Sequence, residues 1–227
     1  MKLITYLGIF ILIFSTVSFS DNLDAINVTL SWSNKWKGNW EEKIFDKKTE
    51  YTSATLNDRA VLRASSHASA SGLVRQEKVD LLATPYLNWS WLTESRLSDL
   101  DETTKSGDDY VARVYVVIDG GMMMWRTRSI NYVWSSNQEE SSLWDNAYAG
   151  DKVKMVAVQG KDATLNHWYQ EKRNVYKDLI AMFGDKGSPE KNAKAYRYID
   201  AIAVMTDTDN SSRQAVTYYG NLSFTRE

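Results

Sequence analysis

The chain has 227 residues and no cysteine. That absence removes disulfides, thiolate nucleophiles and zinc–thiolate centres together. Histidine is nearly absent: His67 and His167 lie 100 positions apart, so a histidine-rich metal centre is not expected. There is no basic excess either. Lys and Arg total 27 against 29 Asp and Glu, a formal net charge of −2, which argues against a nucleic-acid partner bound through its phosphates. The G-x-S-x-G elbow, the phosphate loop, the dinucleotide glycine pattern and H-E-x-x-H are all missing. The sequence therefore nominates no catalytic residue.

A long hydrophobic run is also missing. Leu3–Phe14 is apolar, Lys2 precedes it, and Ser18-Phe19-Ser20 places small residues before Asp21. This is the pattern of a cleaved signal peptide, residues 1–20. Leu3–Phe19 falls short of the roughly 20 apolar residues of a membrane span, so no stable span is expected after cleavage. Without cysteine there is no lipid anchor. Residues 21–227 show no repeat, low-complexity stretch or linker, and are expected to form one domain.

What is present is alternation. The composition, 43% hydrophobic and 25% charged, is that of a globular chain. Tyr110–Ile118 is rich in β-branched and aromatic residues and apolar on both faces, which predicts a central strand. Further strands are predicted at 28–32, 51–56, 60–65, 72–74, 78–82, 86–92, 129–134, 153–159, 198–205 and 216–224. Asn174–Phe183 carries one apolar helical face and ends at Gly184, so it reads as a single short helix; 185–194 reads as a polar loop. The expected fold is all-β, an antiparallel, jelly-roll-like β-sandwich with one short helix.

Aromatic residues supply the candidate ligand site. Trp89 and Trp91 share one face of a strand, as do Tyr132 and Trp134 on another. Such rows form either a core or a platform on which sugar rings stack. Trp32, Trp36 and Trp40 sit among polar residues, where a loop or edge should leave at least one exposed. Arg113 lies mid-strand and needs a carboxylate partner if buried; otherwise its planar donor fork suits an anion or a sugar hydroxyl. Arg173 and Asn174 would add hydrogen bonds to the same ligand. Asp207, Asp209 and Asn210 resemble the opening of a calcium loop, but Ser212 and Tyr218 stand where an EF-hand requires Gly and Glu. They are therefore either a polar turn or a Ca²⁺ site. Met122–Trp125 follows Gly120-Gly121 and reads either as an exposed hairpin tip or as the start of an inward-packed strand.

Several separated strings carry a resemblance. They include Leu62-Arg-Ala-Ser-Ser66, Pro85–Trp91, Gly107–Tyr115, Asn131–Trp134, Arg173–Asp178, Met205–Asn210 and Tyr218-Tyr-Gly220. In order and spacing they resemble a family of bacterial exported proteins catalogued as domain of unknown function number three-zero-four-seven, over most of residues 30–226. The resemblance implies a periplasmic or secreted bacterial protein and transfers no catalytic residue. Asn221 stands where the family usually has Asp.

The leading expectation is an extracytoplasmic, non-catalytic module binding a glycan or similar polar ligand. One alternative is a structural or partner-binding envelope protein, of unspecified oligomeric state. A second is a carboxylate-dependent polysaccharide-active enzyme using Asp109, Asp178, Asp207 or Asp209.

Overall fold

Two seven-stranded sheets face each other across a tryptophan-rich core. The computed structural model describes residues 28–32, 36–123 and 126–227, so the leader and residues 124–125 of the methionine turn lie outside the described residues. Numbering strands in chain order, the first sheet runs β1 (Val28–Leu30), β14 (Leu222–Thr225), β6 (Tyr86–Thr93), β13 (Gln214–Tyr219), β4 (Arg59–His67) and β3 (Glu50–Leu56), with β11 (Tyr169–Asn174) along the opposite side of β6. The second sheet runs β2 (Glu41–Asp46), β5 (Ala70–Asp80), β12 (Tyr198–Asp207), β7 (Ala112–Ile118), β8 (Arg128–Trp134), β10 (Gly150–Gln159) and β9 (Leu143–Asn146). Every pairing is antiparallel except β8 with β10.

The all-β sandwich matches the expectation from alternation. The doubly apolar strand β7 is the middle strand of its sheet. Ala112, Val114 and Val116 join the inter-sheet core, while Tyr115 and Val117 pack with Val74, Ala201, Ala203 and Met205 on the other face. This second, smaller cluster explains why the sequence shows no polar face there.

Several boundaries differ from the sequence reading. The two short runs at 72–74 and 78–82 are parts of one long strand, β5, paired throughout with β12. The run 216–224 is two strands. Tyr219 lies opposite Trp91 but Ser223 lies opposite Asn88, so one extra residue is inserted between them. This bulge, at Gly220–Leu222, lets the strand exchange its outer neighbour β4 for β1. Strands β2, β9 and β11 were not expected, because Glu41–Asp46 and Tyr169–Asn174 are largely charged and Leu143–Asn146 is only four residues long. Pairing with β5, β6 and β10 fixes them.

There are two helices among the described residues where one was expected. α1 (Val175–Phe183) forms as read, capped by Asn174, whose side chain accepts the Lys177 amide at 3.0 Å. The region read as a polar loop contains α2 (Pro189–Tyr196). Ser188 accepts the Lys191 amide, and Pro189 opens the first turn. The capping signals were present, but the helix buries little beyond Asn192 and Tyr196, so it lacks an apolar stripe.

Candidate functional site

The aromatic rows are core. Trp89 and Trp91 share one face of β6, and Tyr132 and Trp134 share one face of β8, but the two faces point at each other. Ring centroids are 5.4 Å apart for Trp89–Tyr132 and 6.0 Å for Trp91–Trp134. All four are at most 3% exposed. A sugar ring cannot reach them, so their assignment as a ligand platform is replaced by a packing role. The N-terminal tryptophans are corrected likewise. Trp32 stacks on Trp40 at 4.7 Å and meets Trp36 edge-on at 6.0 Å, and all three are buried. The Trp32 indole donates to the Gly220 carbonyl at 2.7 Å, which ties the N-terminal segment to the bulge.

Arg113 takes the buried ion-pair reading. On the outer face of the second sheet its Nε donates to Asp207 Oδ1 at 2.9 Å, and its Nη2 bonds both Asp207 Oδ2 and the Asp108 carbonyl. The Tyr110 ring covers the guanidinium at 4.2 Å. Burial pushes the Asp207 carboxyl up, against the pull of Arg113. No face of this arginine is left for a ligand. Arg173 is also committed: Nε and Nη2 bond both oxygens of Asp178 at 2.9 and 2.7 Å, and Tyr132 donates to the same carboxylate. Asn174 is spent on its helix cap. Each of the three polar residues expected at the ligand thus has a partner within the protein.

The acidic group is real but differently composed. One oxygen from each of Asp109, Asp207 and Asp209 lies within 4.8 Å of the others, which is oxygen chemistry suited to a hard cation such as Ca²⁺. Asn210 lies beside them. Its amide nitrogen faces Asp109, and its oxygen accepts the Tyr148 hydroxyl at 3.1 Å. Asp109 accepts the backbone amides of Asn210 and Ser211 at 3.1 and 2.6 Å. Burial, and then repulsion from Asp109, pushes the half-buried Asp209 up to about 6.

A different place has an open, ligand-like surface. On the outer face of the first sheet lies a cleft of about 350 Å³, lined by Arg59, Val61, Ser90, Trp168, Gln170 and Asn221 among others. It follows from the bulge. Ser90 alternates away from the core on β6, and Gly220 passes directly beneath it. A Cβ on Gly220 would sit 2.1 Å from Ser90 Oγ, so a larger residue there would have to turn the Ser90 hydroxyl aside. Asn221 follows, its Oδ1 accepting the Trp32 amide at 3.1 Å, which aims its NH₂ group elsewhere. Trp168 immediately precedes β11 and is half-buried, and its indole N–H is buried with no acceptor in the protein. Arg59 is exposed at the start of β4 and forms no ion pair among the described residues. This site is not legible in the sequence. A lone tryptophan in the polar stretch Asn166-His-Trp-Tyr-Gln170 is a weak signal, and the residues that join it come from three strands, β4, β6 and β11, and from the Gly220–Asn221 bulge.

With this geometry in hand, comparison with known proteins adds the lineage. Residues 38–223 match the family described as protein of unknown function (DUF3047). The chain belongs to this family. The match confirms the resemblance and, since the family is of unknown function, assigns no role to any residue of this DUF3047 member. No curated protein matches the chain. Among solved structures, a family 11 carbohydrate-binding module from Clostridium thermocellum, in complex with a β-1,3-1,4-mixed-linked tetrasaccharide, is 8% identical, with 88% of this chain and 95% of that chain covered and a TM-score of 0.45. CBM27-1 of Caldicellulosiruptor saccharolyticus, in complex with mannohexaose, is 12% identical over 89% and 98%, TM-score 0.41. The xyloglucanase domain of NopAA from Sinorhizobium fredii is 10% identical over 82% and 92%, TM-score 0.43. At these identities the likeness is one of strand arrangement.

Proposed function

We propose that this protein is a non-catalytic, extracytoplasmic module that binds a glycan or similar polar ligand in the cleft beside Trp168. The observation behind this reading is the composition of that cleft. It joins a half-buried indole to a guanidinium, two primary amides and a hydroxyl, the mixture of apolar face and fixed polar groups by which sugars are held. Among the described residues its lining contains no carboxylate, which favours binding over glycoside hydrolysis by an acid pair. Elsewhere, Asp178 and Asp207 are tied to arginines, and Asp109 to two backbone amides. The extracytoplasmic part of the proposal rests on the leader pattern of residues 1–20.

Titrating purified residues 21–227 with a panel of oligosaccharides, followed by tryptophan fluorescence, tests the reading. A saturable shift that Trp168→Ala removes while the fold persists supports it. Silence across the panel in folded protein refutes it. Fractionation of expressing cells, with N-terminal sequencing expected to begin at Asp21, tests the location.

Met122 favours a second reading. It is fully exposed at the β7–β8 turn, with Met123 beside it at 37% exposure, which suits contact with another protein. Met122→Ser would then weaken a protein complex and leave saccharide titrations unchanged.

A further inference from the structure

The polar groups of the Trp168 cleft are unbalanced in kind. Arg59 brings a full guanidinium with no ion pair, and Asp58, its neighbour in the β3–β4 turn, does not pair with it. Asn221 has its oxygen occupied by the Trp32 amide, leaving the NH₂ as its available group. Gln170 and Ser90 can donate as well as accept. No acidic side chain lines the cleft. Four positions along β4, on the same face, Arg63 is a second arginine without an ion pair among the described residues, roughly 13 Å away at strand rise. Glu50 and Glu94 share this side of the sheet. Glu94 accepts the Tyr218 hydroxyl, and Glu50 sits opposite Ser65 at the far edge.

Donors without acceptors call for a ligand that supplies acceptors, and a guanidinium without a counter-ion calls for one that is anionic. A neutral sugar hydroxyl both donates and accepts, so it would leave Arg59 without a counter-charge. We infer that the cleft selects a saccharide bearing carboxylates, a uronic-acid glycan, with Arg59 and the Asn221 amide on the carboxylate and the Trp168 ring beside the sugar. This rests on the glycan-binding reading and narrows it to one charge class. Asn221 matters to the assignment, because an aspartate there would turn a donor into a repelling carboxylate.

The test uses residues 21–227 and matched pairs of oligosaccharides: tetramers of galacturonate, of mannuronate and of glucuronate-containing hyaluronan, each beside its carboxyl-reduced, neutral form. The expected result is that at least one acid binds about tenfold tighter than its reduced partner. Arg59→Gln should erase that preference, so that acid and reduced form bind equally, and Asn221→Asp should weaken the acid more than its reduced partner. Circular dichroism of both variants should match the parent, since both side chains are exposed. Equal binding of acid and reduced forms in every pair overturns the inference and leaves the glycan reading standing. So does an acid preference that survives Arg59→Gln. Binding to no saccharide, acidic or neutral, defeats both.

Discussion

Arg113 and Asp207 meet through two parallel hydrogen bonds in the buried outer face of the second sheet, with Nε to Oδ1 at 2.9 Å. The pair joins the two central strands β7 and β12, and its neighbours hold it in place. Asp207 Oδ1 also lies 3.3 Å from the Tyr110 amide, and the guanidinium carbon lies 4.2 Å from the centre of the Tyr110 ring. Removing one member of such a pair strands the other charge away from water. Arg113→Leu is expected to destabilise the fold by roughly 3–5 kcal/mol, measured by urea denaturation. The double variant Arg113→Leu, Asp207→Leu should recover much of that loss. A single variant as stable as the parent would show that the arginine is not buried as described.

Asp209 makes stability depend on pH in a defined direction. The folded chain keeps a proton on this carboxyl up to about pH 6, whereas the unfolded chain releases it near the ordinary aspartate value of about 4. Between those values the folded state binds more protons, so this group's contribution falls as pH rises and is fully lost above about pH 6. Asp209→Asn should therefore stabilise the protein at pH 7.5, by on the order of 1 kcal/mol once the half-exposed position is allowed for, and change little at pH 4. Paired thermal melts in chelator check this. A variant equally or less stable at pH 7.5 contradicts it.

The tryptophans should separate into two classes. Trp89→Ala opens a cavity in the inter-sheet core and is expected to cost roughly 3–5 kcal/mol. Trp168→Ala, at a half-buried position outside the core cluster, should cost under about 1.5 kcal/mol and act on ligand binding instead. Denaturation of both variants beside saccharide titration of Trp168→Ala gives the comparison.

Gly220→Ala should disturb the cleft from beneath. The added methyl would press on Ser90 Oγ, and overpacking of this kind costs roughly 1–3 kcal/mol. Ser90→Ala removes the opposing oxygen and should restore part of the stability in the double variant. No rescue would mean that the strain lies in the backbone of the bulge.

The sandwich was legible because its central strands advertise themselves. β7, β8, β10 and β12 are continuous apolar or alternating runs, and α1 carries both a cap and an apolar face. β11 was invisible for the opposite reason: Gln170, Glu171, Lys172 and Arg173 have little strand preference, and only their register against Ser90, Trp89, Asn88 and Leu87 makes them a strand. The aromatic rows illustrate a deeper limit. Period two shows that Trp89 and Trp91 share a face, but not whether that face looks at solvent or at Tyr132 and Trp134. The need of a buried Arg113 for a carboxylate is legible in the sequence, but only the pairing of β7 with β12 brings Asp207 to it. The cleft was hidden because its parts, Arg59, Ser90, Trp168 and Asn221, are brought together only by the bulge and by the pairing of β11 with β6.

The most direct measurement is saccharide titration of residues 21–227 beside Trp168→Ala, read by calorimetry so that signal does not depend on the removed indole. The expected result is saturable binding by the parent and none by the variant, with both folded by circular dichroism. Undiminished binding by Trp168→Ala would place the ligand elsewhere and contradict the assignment of this cleft.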